Sequence, residues 1–401
     1  MKTVAIVSEY NPFHNGHAYQ IAEIKRFFGE DTVIIAIMSG NYVQRGDVAI
    51  LGKFQRARMA LECGVSLVLE LPFPFSLAGA ERFASAAIEL AHKLGVVDVL
   101  SFGSESGNIE LLCRTADNVS SPDFNTTVKE LLKSDEYKAK GYASVRTLAY
   151  EQLYGKEAAV ALTTPNNILA IEYIKALKHL KSPIVPHTIL RSGTDKDSPN
   201  ASLFAGATYL RALILEGKWD AALHYIPSEA HTTLHEAYQN GDMPVALNNL
   251  SASVLAYLRL EERTFETAEC SGGLYERLRR VSKASGSLDE LWQKAATKKY
   301  TDARIRRAAI FSYLGVTPAH LRESVLYTQV LAMDGKGQAV LHHIRKTAGI
   351  SILTKPADIG KLPAQAKEQA SRAYRADSVY TLAMPKPKAE DAFLAVSPYR
   401  K

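Results

Sequence analysis

A chain of 401 residues, 47% of them hydrophobic, can bury a large core and divides more naturally into two domains than one, which excludes disorder on the scale of a domain. Its three cysteines, Cys63, Cys113 and Cys270, stand far apart without a Cys-x-x-Cys pair, so neither a disulfide framework nor a zinc knuckle is suggested and a reducing compartment is the simplest setting. The formal net charge of +6 suits a polyanionic partner yet is ordinary for an enzyme; Met1–Val7 is too short for a signal peptide and no run reaches the roughly eighteen apolar residues of a spanning helix, so a soluble cytoplasmic protein is expected.

The first hundred residues repeat one pattern, a short run of β-formers, a loop and a helical stretch. Runs at Val4–Val7, Thr32–Met38, Ser66–Leu71 and Val97–Phe102 recur about every thirty residues, the length of a βαβ unit. They are apolar throughout, as strands are when helices cover both faces of a parallel sheet. Between them Ala18–Phe28, Lys53–Cys63 and Ala80–Leu94 carry apolar residues at helical spacing. Thr163–Asn167 opens a helix lined by Ile168, Ile171, Ile174 and Leu177, and Ile184–Leu190 reads as another strand before the loop Arg191–Pro199. This predicts an α/β fold with an N-terminal doubly wound parallel sheet. The alternation stops near Gly217, which places a boundary between residues 1–218 and a mainly helical domain, 219–401. Within the latter, Lys298, Lys299, Arg304, Arg306 and Arg307 form a basic helical stretch, and Val325–Met333 reads as one arm of a hairpin turning at Asp334-Gly335-Lys336-Gly337.

In an open parallel sheet the ligand sits outside the carboxyl ends of the strands. The loop there after the first strand reads Ser8-Glu9-Tyr10-Asn11-Pro12-Phe13-His14-Asn15-Gly16-His17. Two histidines three apart at a helix start place two rings beside free backbone N–H groups, an anion site with two further donors. Gly16 is expected to leave room for a nucleotide to approach the backbone. Aimed at the equatorial oxygens of an α-phosphate under attack, such donors lower the barrier, which makes His14 and His17 the candidate catalytic pair. The alternatives are a capping turn with two surface histidines, or half of a metal site; no Cys or acidic cluster supplies a third ligand, so no metal site is assigned.

His14-Asn15-Gly16-His17 matches the His-x-Gly-His signature of the nucleotidyltransferase superfamily. With Glu9-Tyr10-Asn11-Pro12-Phe13, Met38-Ser39-Gly40-Asn41-Tyr42-Val43-Gln44-Arg45-Gly46, Glu70-Leu71-Pro72, Phe102-Gly103-Ser104-Glu105, Thr164-Pro165-Asn166-Asn167-Ile168-Leu169, Lys299-Tyr300-Thr301 and Ala303-Arg304-Ile305-Arg306-Arg307, the chain resembles the tRNA(Met) cytidine acetate ligase family along most of its length. The resemblance implies a Rossmann-like nucleotidyltransferase domain. It also implies a ligase that joins acetate to AMP, releasing pyrophosphate, and passes the acetyl group to the N4 amine of the wobble cytidine of elongator tRNA(Met), giving N4-acetylcytidine. By the same resemblance ATP is held by Val7, Ser8, Glu9, Tyr10, Asn11, Pro12, Phe13, His14, Asn15, Gly16, His17, Ala18, Tyr19 and Gln20, by Gly103, by Asn166 or Asn167, and by Arg191.

On the residues alone Gly103 is equally a turn glycine, either asparagine equally a helix cap, and Arg191 equally a solvated arginine. Gly206-Ala207-Thr208-Tyr209-Leu210-Arg211 stands where superfamily members carry a Ser/Thr-rich segment ending in arginine, with phosphate contact and helix surface both open to Arg211. Lys298, Lys299, Arg304, Arg306 and Arg307 are the candidates for the tRNA backbone, with Tyr300 placed to stack, against the ordinary reading of a charge run as a solvated face. Magnesium is expected to accompany the triphosphate, held by ATP and water, since no carboxylate cage is visible. No obligate protein partner is indicated. Two rival readings are a small-molecule adenylyltransferase and a non-catalytic, ATP-sensing tRNA-binding protein.

Overall fold

Ten strands emerge in a computed structural model, which describes residues 2–134, 137, 141–191, 204–260 and 266–401: β1 (Thr3–Ser8), β2 (Val33–Ser39), β3 (Tyr42–Val43), β4 (Asp47–Val48), β5 (Leu67–Leu71), β6 (Val99–Ser104), β7 (Val185–Leu190), β8 (Tyr327–Met333), β9 (Ser351–Leu353) and β10 (Tyr399–Arg400). The main sheet runs β10-β8-β5-β2-β1-β6-β7, with β9 beside β8. Its central pairs are parallel, Ala5 lying opposite Ile35 and Leu100. The predicted strands and helices of the first hundred residues fall within a few residues of their expected bounds. The chain builds outward from β1 to β5 on one side, then returns to add β6 and β7 on the other. The strand order therefore reverses between β1 and β6, and a crevice opens there.

Strand geometry explains why the apolar runs do not alternate. Successive side chains point to opposite faces, and both faces are covered. Val4, Ile6, Ile34, Ala36 and Met38 share a cluster with Ile21 and Ile24 of helix Asn15–Phe28 and Ala57 of helix Lys53–Glu62. Ala5, Val33, Ile35 and Ile37 point the other way, into a cluster with Ile88 of helix Ala80–Leu94, Ile174 of helix Pro165–His179 and Ile344 of helix Gly335–Thr347.

The second half departs from expectation in two places. Val325–Met333 does contain a strand, β8, but it pairs antiparallel with β5 and not with a hairpin partner. Asp334-Gly335-Lys336-Gly337 is a helix start: Asp334 Oδ1 accepts the Gly337 N–H at 2.7 Å. A Cβ on Gly337 would lie 1.9 Å from the Ser66 carbonyl oxygen, so glycine lets this helix start pack against the beginning of β5. The 219–401 segment is rich in helix, yet it supplies β8, β9 and β10 to the sheet begun by the first half. Among the described residues no helix is long and apolar enough to cross a membrane. Of the loop Arg191–Pro199, residues 192–199 lie outside the described residues.

Candidate active site

The crevice beside β1 and β6 is a two-lobed cleft. Val7, Ser8, Glu9, Tyr10 and Asn11 form one wall, Gly103, Asn166, Tyr173 and Arg191 the opposite one, and Gln44, Arg45 and Ala207 its mouth. His17, Gln20, Gly103 and Arg191 also line the second lobe, with His14, Gly16 and Tyr19.

His14 begins helix Asn15–Phe28. Its Nδ1 accepts the Gly16 N–H at 3.1 Å, and His17 Nδ1 accepts the His14 N–H at 3.2 Å. This reciprocal cap satisfies two orphan donors of the helix and stacks the imidazoles with centroids 3.8 Å apart. An added Cβ on Gly16 would lie 3.0 Å from His14 Cε1. The glycine thus makes room for the capping imidazole, and it also lines the cleft.

The cap also fixes the tautomer. A ring that accepts at Nδ1 carries its proton on Nε2 when neutral, so both rings present an Nε2–H donor. Burial, with the nearby Arg191, lowers the His14 pKa to about 3, and burial with the stacked His14 ring lowers His17 well below the usual range. These histidines stay neutral at physiological pH. A stability signature follows. An unfolded His14 protonates near 6.5 whereas the folded ring resists until about 3. Between those values the unfolded chain binds more protons, so stability falls on acidification, by up to about 1.4 kcal/mol per pH unit from this ring. Denaturation midpoints from pH 7 to 4.5 should show a shallower dependence in His14→Asn than in wild type; equal slopes would rule the buried neutral ring out.

The other candidates separate clearly. Asn166 lines the cleft, its Nδ2 donating to Glu105 Oε1 at 2.6 Å; Asn167 is buried, its Oδ1 accepting the Ser106 N–H at 3.2 Å. Gly103 and Arg191 face each other, a Cβ on the glycine coming within 3.1 Å of Arg191 Cγ. Within the first stretch, Phe13 is buried against Tyr10 and His17, Asn15 reaches away to the Tyr225 and His224 carbonyls, Ala18 packs on the hydrophobic core, and Pro12 is absent from the lining. These four shape the loop and the remaining ten line the cleft.

Two features escaped the sequence reading. Arg56 is completely buried, donating from Nε to the Leu51 carbonyl at 2.8 Å and from its fork to the carbonyls of Glu9, Ser39 and Gly40. One side chain therefore ties together the loops after β1 and β2. Gln44 and Arg45, in the β3–β4 hairpin, sit at the cleft mouth; the Gln44 N–H donates to Glu9 Oε1 at 2.8 Å. Burial pushes the Glu9 carboxyl up, against the Gln44 hydrogen bond and the arginines at 211, 45 and 56. Three guanidinium groups thus bear on the one carboxyl of this loop.

Arg211, on helix Ala207–Leu215, is half-buried. It donates to the Asn11 carbonyl at 3.0 Å and to Thr208 Oγ1 at 3.2 Å, beside the cleft. The basic stretch divides differently from expectation. Lys298 and Lys299 are exposed and precede helix Asp302–Tyr313, whose cap is Thr301. Arg307 is buried and committed, with Nε 2.8 Å from Glu269 Oε2 and Nη1 donating to the Gln44 carbonyl at 3.1 Å. Tyr300 is buried as well, its hydroxyl donating to the Gly272 carbonyl, so it cannot stack on a base. Arg304 spends two donors on Ser271. From this set Lys298 and Lys299 are exposed, Arg304 is half-buried, and Arg306 is half-buried beside Trp292. Among the described residues, no group of three or more His, Cys, Asp or Glu is placed to hold a metal ion.

Comparison with known proteins agrees with this geometry. The sequence model of the family HIGH Nucleotidyl Transferase matches residues 1–393. The chain is 36% identical over 396 residues to the tRNA(Met) cytidine acetate ligase of Caldanaerobacter subterraneus subsp. tengcongensis, covering 96% of each. It is 32% identical to the protein of the same name from Alkaliphilus metalliredigens, covering 100% of this chain and 99% of that one. A crystal structure of Thermotoga maritima TmcAL bound with alpha-thio ATP superposes with a TM-score of 0.92 at 31% identity, covering 100% of both chains.

Proposed function

Because the chain belongs to the tRNA(Met) cytidine acetate ligase family of HIGH nucleotidyl transferases, we propose that it activates acetate as acetyl-adenylate and transfers the acetyl group to the N4 amine of the wobble cytidine of elongator tRNA(Met). The observation that carries the first step is the pair of neutral, Nδ1-capped imidazoles at the rim of the sheet. A relative's structure that holds an ATP analogue supports ATP as the nucleotide substrate.

In the first step an acetate oxygen attacks the α-phosphorus and the bond to pyrophosphate breaks. Negative charge grows on the equatorial oxygens, where the two Nε2–H groups donate without needing to gain or lose a proton. Arg191 and Arg45 add guanidinium charge around the same lobes and stabilise the departing pyrophosphate, with Arg211 bound to the Asn11 carbonyl behind them. Asn166 and Gly103 lie where adenosine would rest. Magnesium, when bound on the triphosphate, neutralises its charge. In the second step the cytidine amine attacks the acetyl carbon, AMP leaves, and the amine loses a proton. That amine is conjugated with its ring and weakly nucleophilic, so positioning matters more than a strong base. A wobble base is already unpaired and enters a pocket at modest cost. The acceptor's backbone would follow the exposed charges of Lys298 and Lys299, with Arg306 beside them. The division of labour proposed is ATP chemistry in residues 1–218 and RNA binding mainly in 219–401.

Incubation with ATP and labelled acetate tests the reading. Labelled acetyl-AMP without RNA, followed by label in tRNA(Met) but not in transcripts with uridine at the wobble position, is expected. Transfer of AMP to a small cofactor, or no turnover, would refute it.

A further inference from the structure

A second cleft lies behind Arg211, on the far side from the triphosphate lobe. Its walls are Asp47 and Ile50 of the β3–β4 region, Arg211, Leu247, and Trp292 and Arg306 from the two helices that flank the Lys298-Lys299 turn. Asn11 and Arg211 stand between the two clefts. Asn11 lines the first cleft, its carbonyl accepts from Arg211 at 3.0 Å, and its Oδ1 accepts the Ile50 N–H at 2.8 Å.

The chemistry of this second cleft is specific. Its floor is apolar, through Ile50 and Leu247, and one side is an indole with the Arg306 guanidinium 5.9 Å from its ring centroid. Polar groups of both kinds surround that surface. Asp47 keeps one oxygen for the neighbouring Val48 N–H at 2.8 Å, and the buried Nε of Arg306 has no partner. A flat heterocycle with an amino group and ring acceptors satisfies them together: the amine donates to the carboxylate, a ring nitrogen or carbonyl accepts from a guanidinium, and the ring face covers apolar surface. The adjoining turn, with two exposed lysines, offers charge for the phosphates that such a base would carry.

We propose that this cleft binds an unpaired, amino-bearing nucleobase of the RNA acceptor, one place along the strand from the base that is acetylated, and so sets the register of the reacting nucleotide. The inference rests on the RNA-acetylation reading above. The partition explains why the occupant is a neighbour: a base in this cleft is separated from the activated acetyl group by Asn11 and Arg211, and holding it there carries the adjacent nucleotide over the wall into the first cleft.

The test uses the full chain, ATP, acetate and tRNA(Met) anticodon stem-loops with an abasic site immediately 5′ or 3′ of the acceptor. Leu247→Trp fills the floor and Asp47→Asn removes the amine's acceptor. Both variants should release pyrophosphate with acetate at rates within twofold of wild type, which also reports folding, while kcat/KM for RNA acetylation falls about 10- to 100-fold. One of the two abasic RNAs should lose as much with wild type, and Leu247→Trp should lose little more on that RNA. Unchanged RNA acetylation in both variants, or additive losses with both abasic RNAs, would overturn the proposal while leaving the enzyme's assignment intact. A wild type that acetylates no RNA would overturn both.

Discussion

Asparagine at both His14 and His17 is expected to slow acetate-dependent pyrophosphate release at least about 10³-fold, since each preorganised donor of this kind contributes about 10²–10³ in rate. The choice of asparagine matters. His14 and His17 cap their own helix through Nδ1, so alanine would remove a cap and a catalytic donor together. Asparagine is a good N-cap residue whose Oδ1 can take over the Gly16 N–H, while nothing replaces the Nε2–H. The double variant should therefore melt near wild type, bind ATP within about tenfold of its normal affinity, and fail in chemistry. The losses of the single variants should not multiply, because the stacked rings share one charge distribution. Single-turnover measurement of acetyl-AMP separates the steps. A double variant with native stability and a wild-type rate would leave the paired imidazoles as a helix cap only, and the proposed first step would have no catalyst.

The paired histidines were visible in the sequence because a local pattern carries them: a buried strand, a loop, and a capping signal at the next helix. Parallel strands were visible for a similar reason, since burial on both faces writes a continuous apolar run such as Val33–Met38. What stayed hidden depends on contacts between elements that only the fold brings together. Asp334-Gly335 is both a hairpin turn and a helix start in sequence; the apolar spacing of Val340, Leu341 and Ile344 favours a helix, but only the pairing of β8 with β5 decides it. Charge was misleading in the same way. Nothing local distinguishes Arg307, paired with Glu269 across 38 positions, from the exposed Lys298 nearby. Arg56 sits in an ordinary amphipathic helix, and its value comes from three carbonyls that converge on it only after the strands are laid side by side.

Replacing Lys53 with methionine is expected to destabilise the protein by about 3–5 kcal/mol, the usual consequence of stranding buried charge. Lys53 Nζ lies 2.8 Å from Glu70 Oε2 and 2.7 Å from Asp377 Oδ2, with side-chain exposures of 1%, 3% and 6%. Burial works against the ammonium, yet Asp377 and Glu70 together raise its pKa, so it stays charged. Burial, with the Asp377 carboxylate close by, pushes Glu70 up against the pull of Lys53. Removing the cation leaves both acids facing each other without water. The damage should spread to the cleft. Asp377 belongs to helix Ala364–Leu382, and its other oxygen accepts from Asn41 Nδ2 at 2.8 Å, while Asn41 Oδ1 accepts the Lys53 N–H. Asn41 leads directly into the hairpin that carries Gln44 and Arg45 to the cleft mouth, so loosening that helix should raise KM for ATP as well as lower stability. Adding Glu70→Gln to Lys53→Met should recover part of the loss, since it removes one stranded charge and keeps the shape. Urea titrations at pH 7 read both effects: a lone methionine variant within 1 kcal/mol of wild type, or a double variant no more stable than the single, would mean that the cluster does not hold the C-terminal helix to the sheet by charge.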